Sequence, residues 1–222
     1  MTLIQCSAVL FDMDGVLVDS TPAVARVWTS WALEHGLVPD EVVRQAHGRP
    51  SLATIIELLP HGDHAAENNE VERREIEDIA DVIALPGALT LLRSIPQNRW
   101  AVVTSATRAL AEVRLRAAGL PVPSHLVTAS DLQRGKPFPD PYLKGSEILQ
   151  IPPAECVVAE DAPSGVRSGK AAGARVLALR TTSTDEELLG AGADWIADDL
   201  SALSLDSQEH AAALTFRLQQ KK

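Results

Sequence analysis

The chain has 222 residues, 45% hydrophobic and 23% charged, an ordinary globular composition that suits one large α/β domain or a core with a small insert. Its formal net charge of −10 argues against nucleic acid or an anionic membrane as a partner, and no apolar run is long enough to span a bilayer. The N-terminus lacks a basic stretch followed by an apolar stretch and a small-residue cleavage site, so no secretory signal is expected; Cys6 and Cys156, both in apolar strand-like runs, read as reduced core thiols of a cytoplasmic protein.

Ala8-Val9-Leu10-Phe11 is a short apolar run with the character of a buried strand. It ends on Asp12, Met13, Asp14 and Gly15. Residues two apart on an extended segment point to the same side, so Asp12 and Asp14 converge at the C-terminal end of the strand, where open α/β sheets bind ligands. Gly15 lets the chain turn sharply. Two like charges this close persist when a cation lies between them or when one carries a proton. The spacing therefore suits a Mg²⁺ site, or a nucleophile beside an acid/base; a solvated Asp-Gly turn is the plain alternative.

After Ser20 the pattern becomes helical. Val24, Val27, Trp28, Trp31, Ala32 and His35 recur at three- and four-residue spacing, with a start at Thr21-Pro22 and a stop at Gly36. Helically spaced tryptophans are ordinarily core residues. A second short helix is expected over Asp40 to Ala46, then the loop His47-Gly48-Arg49-Pro50, then a helix capped by Ser51 and running through Leu59. His61 to Asn69 reads as a polar loop and Glu70 to Ala80 as a charge-rich, solvated helix.

Pro86-Gly87 marks the return to alternating strands and helices. Strands are expected at Trp100–Thr104, His125–Thr128, Cys156–Ala159, Arg175–Leu179 and, last, Asp194–Ala197. Helices are expected at Thr107–Ala118, Tyr142–Gln150, Gly165–Ala172 and Asp185–Gly190, with Gly119 and Gly173 as stops. The tail from Ser207 onward reads as a terminal helix or a frayed end. This alternation predicts an α/β fold with a parallel, Rossmann-like sheet and helices on both faces. The first strand must join that sheet, so the all-α block after it is an insert. The expected division is an α/β core of residues 1–17 and 87–222 and an inserted four-helix cap of residues 18–86.

Several strand ends carry polar residues. Thr104-Ser105-Ala106-Thr107-Arg108 offers small hydroxyls and helix N-terminal N–H groups, an arrangement that binds anions or simply caps a helix. Gly135-Lys136-Pro137-Phe138-Pro139-Asp140 presents Lys136 from a loop stiffened by prolines. The strand at 156–159 ends on Glu160 and Asp161, an adjacent acidic pair that is costly after a buried strand unless it is solvated, paired or bound to metal.

The set FDMDGVLVDS, the VVTS strand end, the lysine of GKPFPD and the acidic pair of VVAEDAPSGV resembles the motifs of the haloacid dehalogenase superfamily of phosphotransferases, over nearly the whole chain. The helical insert resembles the cap of the subgroup that contains β-phosphoglucomutase and small sugar phosphatases. AHGRPSLATI, WAVVTSATR, SDLQRGKPFPDPYLKG and VVAEDAPSGVRSGKAAG are similar to hexitol, glycerol-phosphate and 2-deoxyglucose-6-phosphate phosphatases.

The resemblance implies a Mg²⁺-dependent phosphatase that hydrolyses small phosphorylated sugars or polyols. Asp12 is then the nucleophile that forms an aspartyl-phosphate, and Asp14 the acid/base. Asp12, the carbonyl of Asp14, Asp161 and Glu160 are the metal ligands. Ser105, Ala106, Lys136 and Gly15 bind the phosphoryl group, and His47, Arg49, Thr107 and Arg108 contact the remainder of the substrate. The alternative is a phosphosugar mutase of the β-phosphoglucomutase type. Those mutases carry a histidine soon after the first motif; the matching position here is Val24, and the nearest histidine is His35. Haloacid dehalogenases lack the second aspartate, which is present as Asp14. A binding module without activity would lack a nucleophile, a metal ligand or the lysine, and all are present. Glycerol, hexitol, aldose and deoxyaldose phosphates remain open as substrates, and a monomer or weak oligomer is expected.

Overall fold

The computed structural model describes residues 2–46, 48–206 and 213–219. The chain opens with β1 (Thr2–Cys6) and β2 (Ala8–Phe11), and β2 is buried at every position. Parallel strands β5 (Trp100–Val103) and β7 (Cys156–Glu160) flank it, with Phe11 opposite Val102 on one side and Ala159 on the other. Outward from β5 lies β6 (Leu126–Val127); outward from β7 lie β8 (Arg175–Leu179) and β9 (Trp195–Ala197). The order β6-β5-β2-β7-β8-β9 is parallel throughout. After building outward on one side of β2, the chain crosses to β7 and builds outward on the other. The C-terminal end of β2 therefore borders the point where the winding reverses, which is where such sheets hold their ligands.

Residue alternation along β2 explains why both faces are covered. Val9 and Phe11 enter one core cluster, with Trp100, Val102, Leu177 and Leu179. Ala8 and Leu10 enter the other, with Val103, Val158, Val176 and Tyr142. Helices pack on these faces: α5 (Ala88–Ser94), α6 (Arg108–Ala117), α7 (Asp140–Leu149), α8 (Pro163–Ala171) and α9 (Asp185–Gly190).

The tail differs from the terminal helix or frayed end expected after Ser207. Residues 214–218 form β11 (Leu214–Leu218), which pairs antiparallel with both β1 and β10 (Leu203–Leu205). Its alternation places Leu214, Phe216 and Leu218 on the first core cluster beside Ile4 and Cys6. A five-residue strand in a polar context carries too little pattern to outweigh the composition around it. Residues 207–212 and 220–222 of that tail lie outside the described residues. Asp194–Ala197 is consequently not the last strand.

Between β2 and α5 the chain makes α1 (Thr21–Glu34), α2 (Pro39–Ala46), α3 (Ser51–Leu58) and α4 (His64–Glu77). The stems on either side, β3 (Val18–Asp19) and β4 (Ile83–Ala84), pair antiparallel. The block has a separate core of Val27, Trp28, Trp31, Ala32, Val42, Ile55 and Val71. α4 begins six residues earlier than its composition suggests, because the Asp63 side chain accepts the Ala66 N–H at 3.1 Å and so caps the helix. Nor is α4 wholly solvated: Val71 and Glu75 face α1 and are buried. Ser51 does not cap α3. Pro50 occupies the cap position, and the Ser51 hydroxyl donates to Asn68 Oδ1 at 2.7 Å.

Candidate active site

Asp12 is the first residue past β2, and its N–H still bonds to the Ala159 carbonyl at 2.9 Å. The ladder therefore fixes its backbone level with the end of β7. Glu160 closes β7 and Asp161 follows it; all three carboxylates are buried. The Lys136 side chain is 2% exposed, and its Nζ lies 2.7 Å from Asp12 Oδ1 and 2.7 Å from Glu160 Oε1. The Tyr142 hydroxyl donates to the same Glu160 oxygen at 2.7 Å. Glu160 Oε2 accepts the N–H groups of Asp161 (2.9 Å) and Ala162 (3.1 Å). Asp161 accepts from the Thr182 hydroxyl. Two glycines make room for this cluster. A Cβ on Gly165 would overlap the Glu160 carboxylate, and one on Gly15 would overlap Asp161. Gly15 also has φ +79°, a conformation that strains any residue with a side chain.

The charges do not balance. Three buried carboxylates face one ammonium. Burial pushes the Asp12 carboxyl well above the usual carboxylate range; Lys136 opposes this, and Glu160 and Asp161 reinforce it. Burial alone would lower the Lys136 ammonium, but Asp12 and Glu160 outweigh that and hold it above the ordinary lysine range. Oxygens of Asp12, Glu160 and Asp161 lie within 4.8 Å of one another. Hard carboxylate donors carrying a surplus of negative charge fit a divalent metal ion of the Mg²⁺ or Ca²⁺ kind.

Asp14 is less enclosed than Asp12 and belongs to a different set of contacts. Its Oδ1 accepts the Ser20 hydroxyl at 2.6 Å, and its Oδ2 lies 3.1 Å from Arg114 Nη1. Arg114 is on α6 and is buried. Its Nη2 lies 3.6 Å from Glu75 Oε2 on α4, whose other oxygen accepts the Trp28 indole N–H at 3.2 Å. Burial raises the Glu75 carboxyl against the lowering charge of Arg114. A cavity of about 590 Å³ lies over Asp12 and Asp14, between the strand ends and helices α1, α2 and α4.

Of the remaining expected site residues, Gly15, Arg49, Ser105, Ala106 and Thr107 line this cavity. The Ala106 N–H donates to the Thr104 hydroxyl at 3.0 Å, and the Gly15 N–H to the Val18 carbonyl at 2.8 Å. Both N–H groups thus have an acceptor within the chain, and Gly15 also supplies room for Asp161. Thr107 caps α6 and donates to Glu72 Oε1 of α4 at 2.5 Å. The Arg108 guanidinium donates to the Leu126 carbonyl at 3.2 Å and to Asp131 at 3.3 Å. Arg49 pairs with Glu57 at 2.7 Å. His47 lies outside the described residues.

The sequence reading missed Arg114, Glu75, Tyr142 and Thr182. Two of them leave a detectable signal. Arg114 falls in the stripe Leu110, Ala111, Leu115, and Glu75 falls four residues after Val71; each is a charge on the apolar face of its helix.

Comparison with known proteins places these features in a family. Residues 6–173 match the family model described as haloacid dehalogenase-like hydrolase. Hexitol phosphatase A of Escherichia coli (strain K12) is 43% identical over 189 residues, covering 83% of this chain and 88% of that protein. Glycerol-1-phosphate phosphohydrolase 2 of Saccharomyces cerevisiae is 33% identical over 205 residues, covering 87% and 82%. The crystal structure of a hydrolase from Pseudomonas syringae has the same fold, with TM-score 0.78 at 24% identity over 88% of this chain and 94% of that one.

Proposed function

The chain belongs to the haloacid dehalogenase-like hydrolase family, and from that premise we propose that it is a Mg²⁺-dependent phosphatase acting on phosphomonoesters of small sugars or polyols. The observation that carries this reading is the buried cluster of Asp12, Lys136, Glu160 and Asp161 at the strand ends, with Asp14 two residues from Asp12 and open to the same cavity. Residues 18–86 act as a cap over a catalytic core of residues 1–17 and 87–222.

Asp12 attacks phosphorus and forms an aspartyl-phosphate as the ester oxygen leaves. Asp14 gives that oxygen a proton, then takes one from the water that hydrolyses the intermediate and restores Asp12. Lys136 and the Ser105 hydroxyl meet the equatorial phosphoryl oxygens, where charge builds up in the transition state. Asp12, Asp161, Glu160 and the carbonyl of Asp14 would hold Mg²⁺, which shields the anionic nucleophile from the anionic phosphate. Val24 lines the cavity at the position where the resembling mutases carry a histidine. A hydrolase therefore fits better than a phosphosugar mutase.

The test is phosphate release from a panel of hexitol, glycerol, hexose and deoxyhexose phosphates. Release should occur for at least one class, vanish with EDTA and return with Mg²⁺. Full activity after exhaustive chelation would overturn the metal assignment. Interconversion of β-glucose 1-phosphate and glucose 6-phosphate without net release would overturn the hydrolase.

A further inference from the structure

Arg114 is an unusual residue for its position. Its neighbours on the inner face of α6 are Leu110, Ala111 and Leu115, all buried. Its side chain is 5% exposed, yet among the described residues it makes a single short polar contact, to Asp14 Oδ2 at 3.1 Å. The Glu75 carboxylate is 3.6 Å away, an ion pair beyond hydrogen-bond reach. Nε and Nη2 are buried with no hydrogen-bond partner among the described residues. A buried guanidinium with idle donors is costly, and an apolar side chain would stabilise the same stripe better. Stability therefore does not account for the arginine. What distinguishes it is the pair of groups it joins: Asp14 on the strand-end side and Glu75 on α4. Glu75 is itself pinned to α1 by the Trp28 indole.

We propose that Arg114 is a positioning residue for Asp14, and that Glu75 makes this positioning depend on the seating of α1 and α4 against the core. Together with the Ser20 hydroxyl, Arg114 fixes both Asp14 oxygens, so the carboxyl faces the cavity in one orientation. Arg114 and Glu75 both line the cavity, so they adjoin the space that a leaving group would fill. When α4 lifts, Glu75 leaves with it. Arg114 then keeps Asp14 as its one anionic partner among the described residues and draws the carboxylate toward α6, away from the ester oxygen. Asp14 thus serves as proton donor only when the helical block is seated. The inference rests on the reading of Asp14 as the acid that protonates the leaving oxygen.

The experiment measures the first turnover by rapid quench, on esters of different leaving-group basicity. p-Nitrophenolate departs without a proton, whereas the alkoxide of a hexitol phosphate does not. Arg114→Ala should slow first-turnover release of the hexitol on the order of a hundredfold, the scale of a lost general acid, and slow p-nitrophenol release by no more than about threefold. Arg114→Lys, which keeps the charge with a single head group, should recover part of the loss. Glu75→Gln, which can still accept from Trp28, should show the same selectivity at about tenfold. Equal slowing of both esters, or no slowing of either, would overturn the proposal. Aryl phosphates of graded phenol basicity give the same answer where the hexitol ester reacts slowly: the variants should depend more steeply on phenol basicity than the parent enzyme, and an unchanged slope would overturn it. Asp14→Asn separates the two layers of argument. If it slows p-nitrophenol release as much as hexitol release, the acid role of Asp14 itself fails, whatever Arg114 does.

Discussion

The strand ends and the helical block both carry many charges, but they hold them in opposite ways. At the strand ends, Asp12, Lys136 and Glu160 are buried, and Lys136 is the partner of both carboxylates. In the block, Arg26 bridges Asp78 and Asp81, Arg73 bridges Glu70 and Glu77, and Arg74 bridges Glu34 and Glu70, largely in solvent. Exposed pairs of that kind contribute about 0–1 kcal/mol each and are interchangeable. A buried set is not: removing one member strands the others in a low-dielectric interior. On the proposed function, the strand ends are a fixed reactive platform and the block a lid whose exposed charges tolerate change. Glu75 is the exception, a buried carboxylate of the block that faces the core.

The sharpest way to break this contrast is to neutralise the proposed nucleophile. Asp12→Asn should leave less than about a thousandth of the parent turnover, as nucleophile removal does in hydrolases with covalent intermediates. The fold should survive, because Lys136 keeps Glu160 and the cluster loses surplus negative charge. Thermal unfolding reports the fold and phosphate release reports the chemistry; turnover near the parent level would remove Asp12 from its role.

A second substitution tests the interlocking itself. Lys136→Met keeps most of the length of the side chain and removes its charge. Two buried carboxylates then lose their ammonium, and stability should fall by about 3–5 kcal/mol. Denaturant titration should show a lower midpoint with an unchanged slope. A loss below about 1 kcal/mol would mean that the cluster is no more constrained than the exposed pairs of the block.

The same contrast explains which residues were legible in the sequence. Asp12, Lys136, Glu160 and Asp161 follow buried strands or lie in short stiff loops, so topology alone brings them together. The helical pattern of α1 gave Trp28 and Trp31 as core for the same reason: periodicity determines the face. Arg114 and Glu75 were not legible, because their meaning lies in a contact between two helices some forty residues apart. Periodicity reports that a charge sits on an apolar face without reporting what it meets. The Ala106 and Gly15 N–H groups were legible only in part. Each has an acceptor within the chain, the Thr104 hydroxyl and the Val18 carbonyl, that a motif does not display. β11 escaped because five residues are too few to stand out against a polar tail.

Arg49 gives the smallest effect and separates the two ways of holding charge within one residue. It lines the cavity, it is a third exposed, and its partner Glu57 is more exposed still. As a surface pair with Glu57, it should contribute less than about 1 kcal/mol to stability, so Arg49→Ala should leave unfolding nearly unchanged. A weakly held guanidinium can exchange partners. We propose that Arg49 leaves Glu57 for the substrate when the block is seated, supplying a cation from the lid where Lys136 supplies one from the platform. Arg49→Ala should then lower kcat/KM for the best sugar or polyol phosphate about tenfold, the loss of one charge-assisted hydrogen bond. Glu57→Gln removes the competitor and should leave kcat/KM at or above the parent value. An unchanged kcat/KM in Arg49→Ala would return Arg49 to the class of interchangeable surface pairs. A loss in Glu57→Gln equal to that in Arg49→Ala would show instead that the pair holds the loop in place and that neither residue reaches the substrate.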